Sequence, residues 1–425
     1  MIKLILFMSC LLFTSVNISL AQPGWTFHKN ADIPVNGMSF CIQTDYVGGG
    51  VYLGLTGGLT KHNGFEWLRI YYNEIEPNLH SNEYNVRKLS PNGAYMWAGT
   101  NAGIIRFDGY EKKIYNSQNT KNMTEDHIRG LTPDKEGNLW YLSQTFAISK
   151  IDVAADTVIN YVVPHTFPIP FINDAKMFTD NDLRLWYYLD GKLVRFKGST
   201  ARVLDSTDIP IIKDDKMSWA QIQFDGSLAV LFARHIGIFK EINGASTFKE
   251  IVVPDTMLAA DEFFKYVKID MEGNLWILAR RDFGDAIGSR HFYKLTKQGE
   301  WTKYEFPFIE GTISQNYSFT DFTIDLTGKI WFAEPYYGVF VFDPKFSSAK
   351  EELKNTTEIF PNPAYDFISV SNYKTSEVRY AIIDLLGREV LNGELSGSKI
   401  DISGLIPSGY FLKIGREIKP FVKSK

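Results

Sequence analysis

A tryptophan-centred segment returns along this chain at an almost constant interval. Asp134 to Trp140 reads DKEGNLW, and Asp270 to Trp276 reads DMEGNLW. Aligned on the aromatic, looser copies place Trp97, Trp186 and Trp331 in the same register, with Tyr52 and Ala229 in degenerate ones. Positions 52, 97, 140, 186, 229, 276 and 331 lie 45, 43, 46, 43, 47 and 55 residues apart. An interval near 45 that holds several short strands is the mark of propeller blades, small sheets that bury their faces only against their neighbours. The third repeat shows the plan, with strands expected over 127–131, 138–142, 147–151 and 158–162. The last repeat stops at Asp343-Pro344 without an outer strand, and Trp25-Thr26-Phe27-His28 offers one. Lending that strand to the last of seven blades closes the ring and removes two exposed edges.

The acids and glycine of the heptapeptide suggest a cation loop, but the spacing argues otherwise. A calcium loop alternates oxygen ligands and closes with a glutamate at its twelfth position. Here Asp134 and Glu136 run straight into an apolar strand, so the segment reads as a hairpin turn, with the tryptophan as a wedge between blades. No metal or cofactor is expected. No nucleophile elbow, zinc helix, paired C-x-x-C or phosphate loop occurs, and the seven histidines are scattered, so no catalytic residue is assigned.

Composition closes other routes. Only Cys10 and Cys41 are present, so no internal disulfide braces the mature chain, and stability rests on a buried core, for which a chain that is 44% hydrophobic and 15% aromatic has the material. A net charge of −4 gives no electrostatic basis for nucleic acid. Residues 1–21 read as a signal peptide: Lys3, an apolar run from Leu4 to Phe13, then Ser19-Leu20-Ala21 before a cut at Gln22. No later stretch is long enough to span a membrane.

The expected architecture is all-β: a seven-bladed β-propeller over 22–345, a polar linker over 346–357, and a small immunoglobulin-like β-sandwich over 358–425. In the last unit, strands are expected over 367–370, 378–384, 389–391, 400–402 and 410–414, with turns at Leu386-Gly387-Arg388, Asn392-Gly393 and Pro407-Ser408-Gly409. Pro361-Asn362-Pro363-Ala364 followed by Asp366, then Asp384-x-x-Gly387, then Leu405 with Gly409-Tyr410, resembles the type A C-terminal sorting domain of the type IX secretion system of Bacteroidetes. That resemblance implies export across the outer membrane by the type IX machinery to the cell surface or medium. The D-x-x-G-N-L-W pattern followed by G-x-x-x-F-D resembles the two-component-regulator propeller repeat, which implies the fold and a general role in recognition. The signalling role of that family does not carry over, since no membrane span or kinase is read here. Asp156-Thr157-Val158, Asp205-Ser206-Thr207 and Asp255-Thr256-Met257 resemble the O-glycosylation pattern of exported Bacteroidetes proteins.

The binding candidates follow from blade geometry. Loops joining second to third strands meet around one mouth of the channel, and the sixth, RRDFGDAIGSRH, is expected to be a long loop. With its neighbours it brings Arg234, His235, Arg280, Arg281, Arg290, His291, Tyr336 and Tyr337 to one side of that mouth. Arginine forks beside tyrosine faces suit a glycan or protein ligand. Asp282 and Asp285 are the expected partners of these arginines if the loop is merely solvated. A polysaccharide lyase or hydrolase is the alternative, with Glu334 beside Tyr336 its one hint, and a purely structural surface module is a third reading.

Overall fold

The computed structural model describes residues 24–424 apart from 36, 46–48, 71–85, 87, 93–94, 108–110, 146, 162–175, 181, 190–191, 198–199, 214–216, 224, 243, 284–285, 308–316, 346–357, 372–377, 385–387, 396 and 415–416. The expected signal peptide, the linker and Gly387 lie outside the described residues.

Ahead of residue 346 the described residues form seven antiparallel sheets, six of them built in sequence order from the inside out. The third blade comprises Ile128–Pro133, Leu139–Ser143, Ile148–Asp152 and Thr157–Tyr161, each within two residues of expectation. In the seventh, Asp321–Ile324, Ile330–Glu334 and Gly338–Phe342 are completed by Trp25–Lys29, with Trp25 opposite Phe342 and Lys29 opposite Gly338. First strands of successive sheets lie side by side, and that of the seventh lies beside that of the first. The sheets therefore close a ring.

The repeated aspartate and tryptophan explain why the pattern recurs. Asp270 Oδ1 accepts the amides of Glu272 at 3.0 Å and Asn274 at 2.8 Å, which ties the hairpin turn. Its Oδ2 accepts the indole N–H of Trp276 at 2.8 Å. Asp180 with Trp186 and Asp325 with Trp331 repeat the arrangement at 2.7 and 2.8 Å. One carboxylate thus satisfies the turn and the only polar atom of a buried wedge. Gly273 sits at φ +81°, a left-handed turn position that favours glycine. Each tryptophan lies in an apolar cluster shared with the next blade: Trp97 with Ile128 and Leu139, and Trp331 with Ile42 and Leu53.

Residues 358–423 form the expected sandwich. One sheet is Glu358–Phe360, Phe367–Ser371 and Lys399–Asp401; the other runs Glu389–Leu395, Val378–Asp384, Ser408–Ile414 and Glu417–Lys423. Ile368, Ile382, Ile400, Leu412 and Phe421 fill the space between them. The strand Glu358–Phe360 was not expected, and Ser408-Gly409, expected in a turn, open the strand Ser408–Ile414. Asn392-Gly393 is mid-strand rather than a turn, because Tyr380 packs opposite Gly393, where a Cβ would come within 2.8 Å of its hydroxyl oxygen. The strand Glu417–Lys423 was also unexpected. It contains Pro420, which lacks a donor and is tolerated because this strand is the sheet's edge.

Candidate functional site

Strand direction gives the propeller two unlike faces. The hairpins joining first to second and third to fourth strands form a turn face. The connections joining second to third strands, and one blade to the next, form a loop face, and all eight binding candidates belong to it.

The sixth blade departs most from the repeat. Its second strand, Leu275–Phe283, runs on past its neighbours and folds back through Ala286–Gly288, pairing Arg281 with Gly288 and Phe283 with Ala286. The segment expected as a long loop is therefore a β-ribbon. Its returning end is pinned where the Ser289 amide donates to the Tyr317 carbonyl at 2.7 Å. Tyr317 in turn meets the Tyr337 ring edge-on, with centroids 6.3 Å apart. Ribbon and seventh-blade loop are thus in physical continuity.

Most candidate cations are engaged locally; Asp285, one of their expected partners, lies outside the described residues. Arg234 donates through Nη1 to the carbonyls of Ala259 and Glu262, both at 2.9 Å, and so clamps the crossing from the fifth to the sixth blade. Arg281 pairs with Asp261 at 2.9 Å through Nε, and Arg290 with Glu305 at 2.8 Å. His235 meets Glu250 on the outer strand at 2.9 Å. Arg290 and His235 therefore sit toward the rim, away from the ring's centre. Arg280 pairs across the ladder with Phe263 and is half-buried. Tyr336 is 66% exposed, the most open of the eight.

Two buried glutamates organise this face, and only Glu334 was singled out from the sequence. Glu262 is fully buried and accepts from His291, from the Ala259 amide at 3.0 Å and from the Tyr293 hydroxyl at 3.1 Å. Burial works to raise its carboxyl, but the bonds from His291, Ala259 and Tyr293 outweigh it and hold the group at about 2. Burial, then the charge of Glu262, raises the Tyr293 hydroxyl. The signal in the sequence was a charged residue heading the apolar strand EFFKYVKI. Glu334, the hint of an enzyme, accepts the amides of Tyr336 at 2.7 Å and Tyr337 at 2.6 Å through Oε2, and that of Ser318 at 3.4 Å through Oε1. Burial raises its carboxyl against those amides, and its oxygens shape the loop. Among the described residues no group of three or more potential ligands stands ready for a metal ion.

In the tail, Asn362 accepts the Val422 amide at 2.9 Å, and the neighbouring Ala364 amide donates to the Val422 carbonyl at 2.7 Å. The Pro361-Asn362-Pro363 segment thereby fastens the last strand. Asp366 is exposed, and its carbonyl accepts the Ile402 amide at 2.8 Å. Gly409 pairs with Val422, while the buried Tyr410 donates to the Ile406 carbonyl at 2.8 Å and stacks on Phe421. Residues 358–425 match the secretion system C-terminal sorting domain family. The tail is a type IX sorting domain. The chain is accordingly one exported to the cell surface or beyond, and no helix among its described residues is long and apolar enough to cross a membrane.

Solved structures agree on the fold. PorZ of Porphyromonas gingivalis, described as an essential bacterial surface component of the type IX secretion system, is 14% identical with a TM-score of 0.55, over 92% of this chain and 60% of that one. The extracellular domain of a one-component system protein from B. thetaiotaomicron is 12% identical with a TM-score of 0.54, over 93% of this chain and 58% of that one. A streptogramin B lyase is 12% identical with a TM-score of 0.54, over 75% of this chain and 97% of that one. The chain thus spans about 60% of the length of PorZ and of the Bacteroides domain. No curated protein sequence matches it.

Proposed function

We propose that this exported propeller is a non-catalytic recognition module that takes a glycan or protein ligand at the loop face of its sixth and seventh blades. The observation that carries the reading is the β-ribbon of 281–283 paired with 286–288, which prolongs the second strand of the sixth blade and whose returning end is tied at Ser289 to Tyr317, beside the Tyr337 ring. Rigid scaffolds commonly place their variable, ligand-reading elements in this way. Exposed Tyr336 supplies a ring face on the neighbouring blade, and half-buried Arg280, next to the ribbon, a guanidinium. Arg234, Arg281 and His291 support the site from beneath. A lyase or hydrolase is the weaker reading, because Glu334 is committed to backbone amides.

The test is a glycan array, together with purified outer-membrane lipopolysaccharide, probed with the mature full-length chain. Tyr336→Ala combined with a ribbon cut back to the ordinary loop length should abolish binding to whatever the unaltered chain retains. Glu305→Gln, at the rim, should leave it intact. Equal binding by the ribbonless variant and the unaltered chain sinks the proposal.

A further inference from the structure

The fifth blade has neither the aspartate nor the tryptophan of its neighbours, and a space lies beside their places. Its turn makes the usual backbone bonds: the Gln223 amide donates to the Ser227 carbonyl at 2.8 Å, and the Gly226 amide to the Gln223 carbonyl at 3.0 Å. Those bonds put Gln223 in the aspartate position and Ala229, six residues on, in the tryptophan position. Ala229 is fully buried in a cluster shared with the sixth blade, so it faces the way the wedges face. Its methyl group fills little of what an indole would fill.

Between the fifth and sixth blades, a groove of about 230 Å³ opens at this junction. Ile238, the cross-strand partner of Ala229, lines it with Ile251, Leu275 and Leu295, and Gln223, Asp225, Ser227 and Thr296 form its polar edge. In the third and sixth blades the corresponding partner is a lysine lying over the indole, Lys150 over Trp140 and Lys294 over Trp276. Here Ala229 and Ile238 stand in place of the wedge and the cation. Two lysines stand at the rim. Lys240 is compensated by Asp225 at 2.6 Å. Lys297 makes no hydrogen bond or ion pair among the described residues, and its chain lies across Gly273, where a Cβ would fall 2.1 Å from Lys297 Cε. The missing side chain at Gly273 therefore lets an uncompensated ammonium reach the groove.

A slot of one side chain's size, with aliphatic walls from Ile238, Ile251, Leu275 and Leu295, a polar edge and one available cation at its mouth, selects a ligand having a compact apolar end and one negative charge. At about 230 Å³ it lies below the ~300 Å³ at which ordinary ligand pockets begin, which excludes bulky ligands from full burial. We propose that this groove binds small planar carboxylates, with the ring between Ile238 and Leu275 and the carboxylate on Lys297. The site opens toward the turn face and is independent of the ribbon.

Indole-3-propionate is the direct probe, because its ring restores the missing wedge. Titrated into the mature full-length chain and followed by calorimetry and saturation-transfer NMR, it should bind saturably, and 3-methylindole should bind more weakly. Lys297→Gln should weaken indole-3-propionate about fivefold, the scale of one partly exposed charge contact. Ala229→Trp, which refills the groove, should abolish binding, and Tyr336→Ala should not change it. Absence of saturable binding at millimolar ligand overturns the proposal. So does equal affinity in Lys297→Gln, an exposed change that leaves the core untouched.

Discussion

The imidazole of His28 lies flat on the indole of Trp331, with ring centroids 5.7 Å apart and planes 6° from parallel. His62 of the first blade stands 4.9 Å from the same imidazole and 5.0 Å from the same indole, with Trp67 edge-on behind it. The N-terminal strand, the last blade and the first blade therefore meet in one histidine–tryptophan cluster. Burial lowers His28, with Asp32 opposing; burial, then the charges of His28 and Lys329, lower His62 to about 4.

Acid should loosen this junction. A histidine held below its ordinary 6.5 binds fewer protons in the folded state, so its stabilisation is present above pH 6.5 and is lost as pH falls toward 4. For His62 the loss is at most about 3 kcal/mol. Urea denaturation across pH 4–7 should show that slope, and His62→Phe should flatten it. Glu262, held at about 2, keeps its contribution until pH falls below 4.5, which separates the two effects. An unchanged slope in His62→Phe would assign the acid sensitivity elsewhere.

Closure itself should depend on Trp25. Its ring contacts Phe292, Phe306 and Phe342 at centroid distances of 5.8, 5.6 and 4.8 Å, linking the borrowed strand to the sixth and seventh blades. Trp25→Ala should cost about 3–5 kcal/mol, the range for truncating a large aromatic in a core. A denaturation midpoint unchanged by the substitution would show the strand to be dispensable.

The aspartate–tryptophan strut can be separated from the turn it serves. Asp270→Ala removes acceptors for two amides and an indole, and should cost about 2–3 kcal/mol as buried donors go unmet. Asp270→Asn keeps an oxygen for the turn but can turn its amide toward the Trp276 N–H, so it should lose about half as much. Thermal unfolding of the two variants side by side gives the ratio.

Replacing Glu262 should disturb the loop face from within. Glu262→Gln removes the charge that His291 and Tyr293 share, at a cost of about 1–3 kcal/mol. Hydrogen exchange should rise at Ala259, whose amide bonds to that carboxylate, while Asp134 and its turn remain protected.

The fold was legible because a propeller repeats its demands. Most blades carry the same turn, wedge and third strand, so Asp134, Gly137 and Trp140 announced themselves again at Asp270, Gly273 and Trp276. Even the borrowed strand could be read, since a blade lacking its fourth strand is a visible deficit. The candidate site was far less legible. Arg281, Arg290 and His235 stand close together in sequence to the segments that suggested a binding kit, but Asp261, Glu305 and Glu250 meet them from other strands. Such pairings depend on cross-strand register, which a list of loop residues does not contain. The ribbon was hidden for a related reason, because RRDFGDAIGSRH has no simple apolar alternation to mark a hairpin. The groove was visible only as an irregularity, Ala229 where a tryptophan belonged.

The pairing of Trp25–Lys29 with Gly338–Phe342 has a mechanical meaning. Tension arriving through the C-terminal segment enters the ring at Asp343, whose amide is bonded to the Gly24 carbonyl at 2.7 Å. The load is borne first by the seam between the two ends of the propeller, while the six blades that close on themselves are spared. How firmly the molecule withstands being pulled is thus set by five residues that come from the far end of the chain.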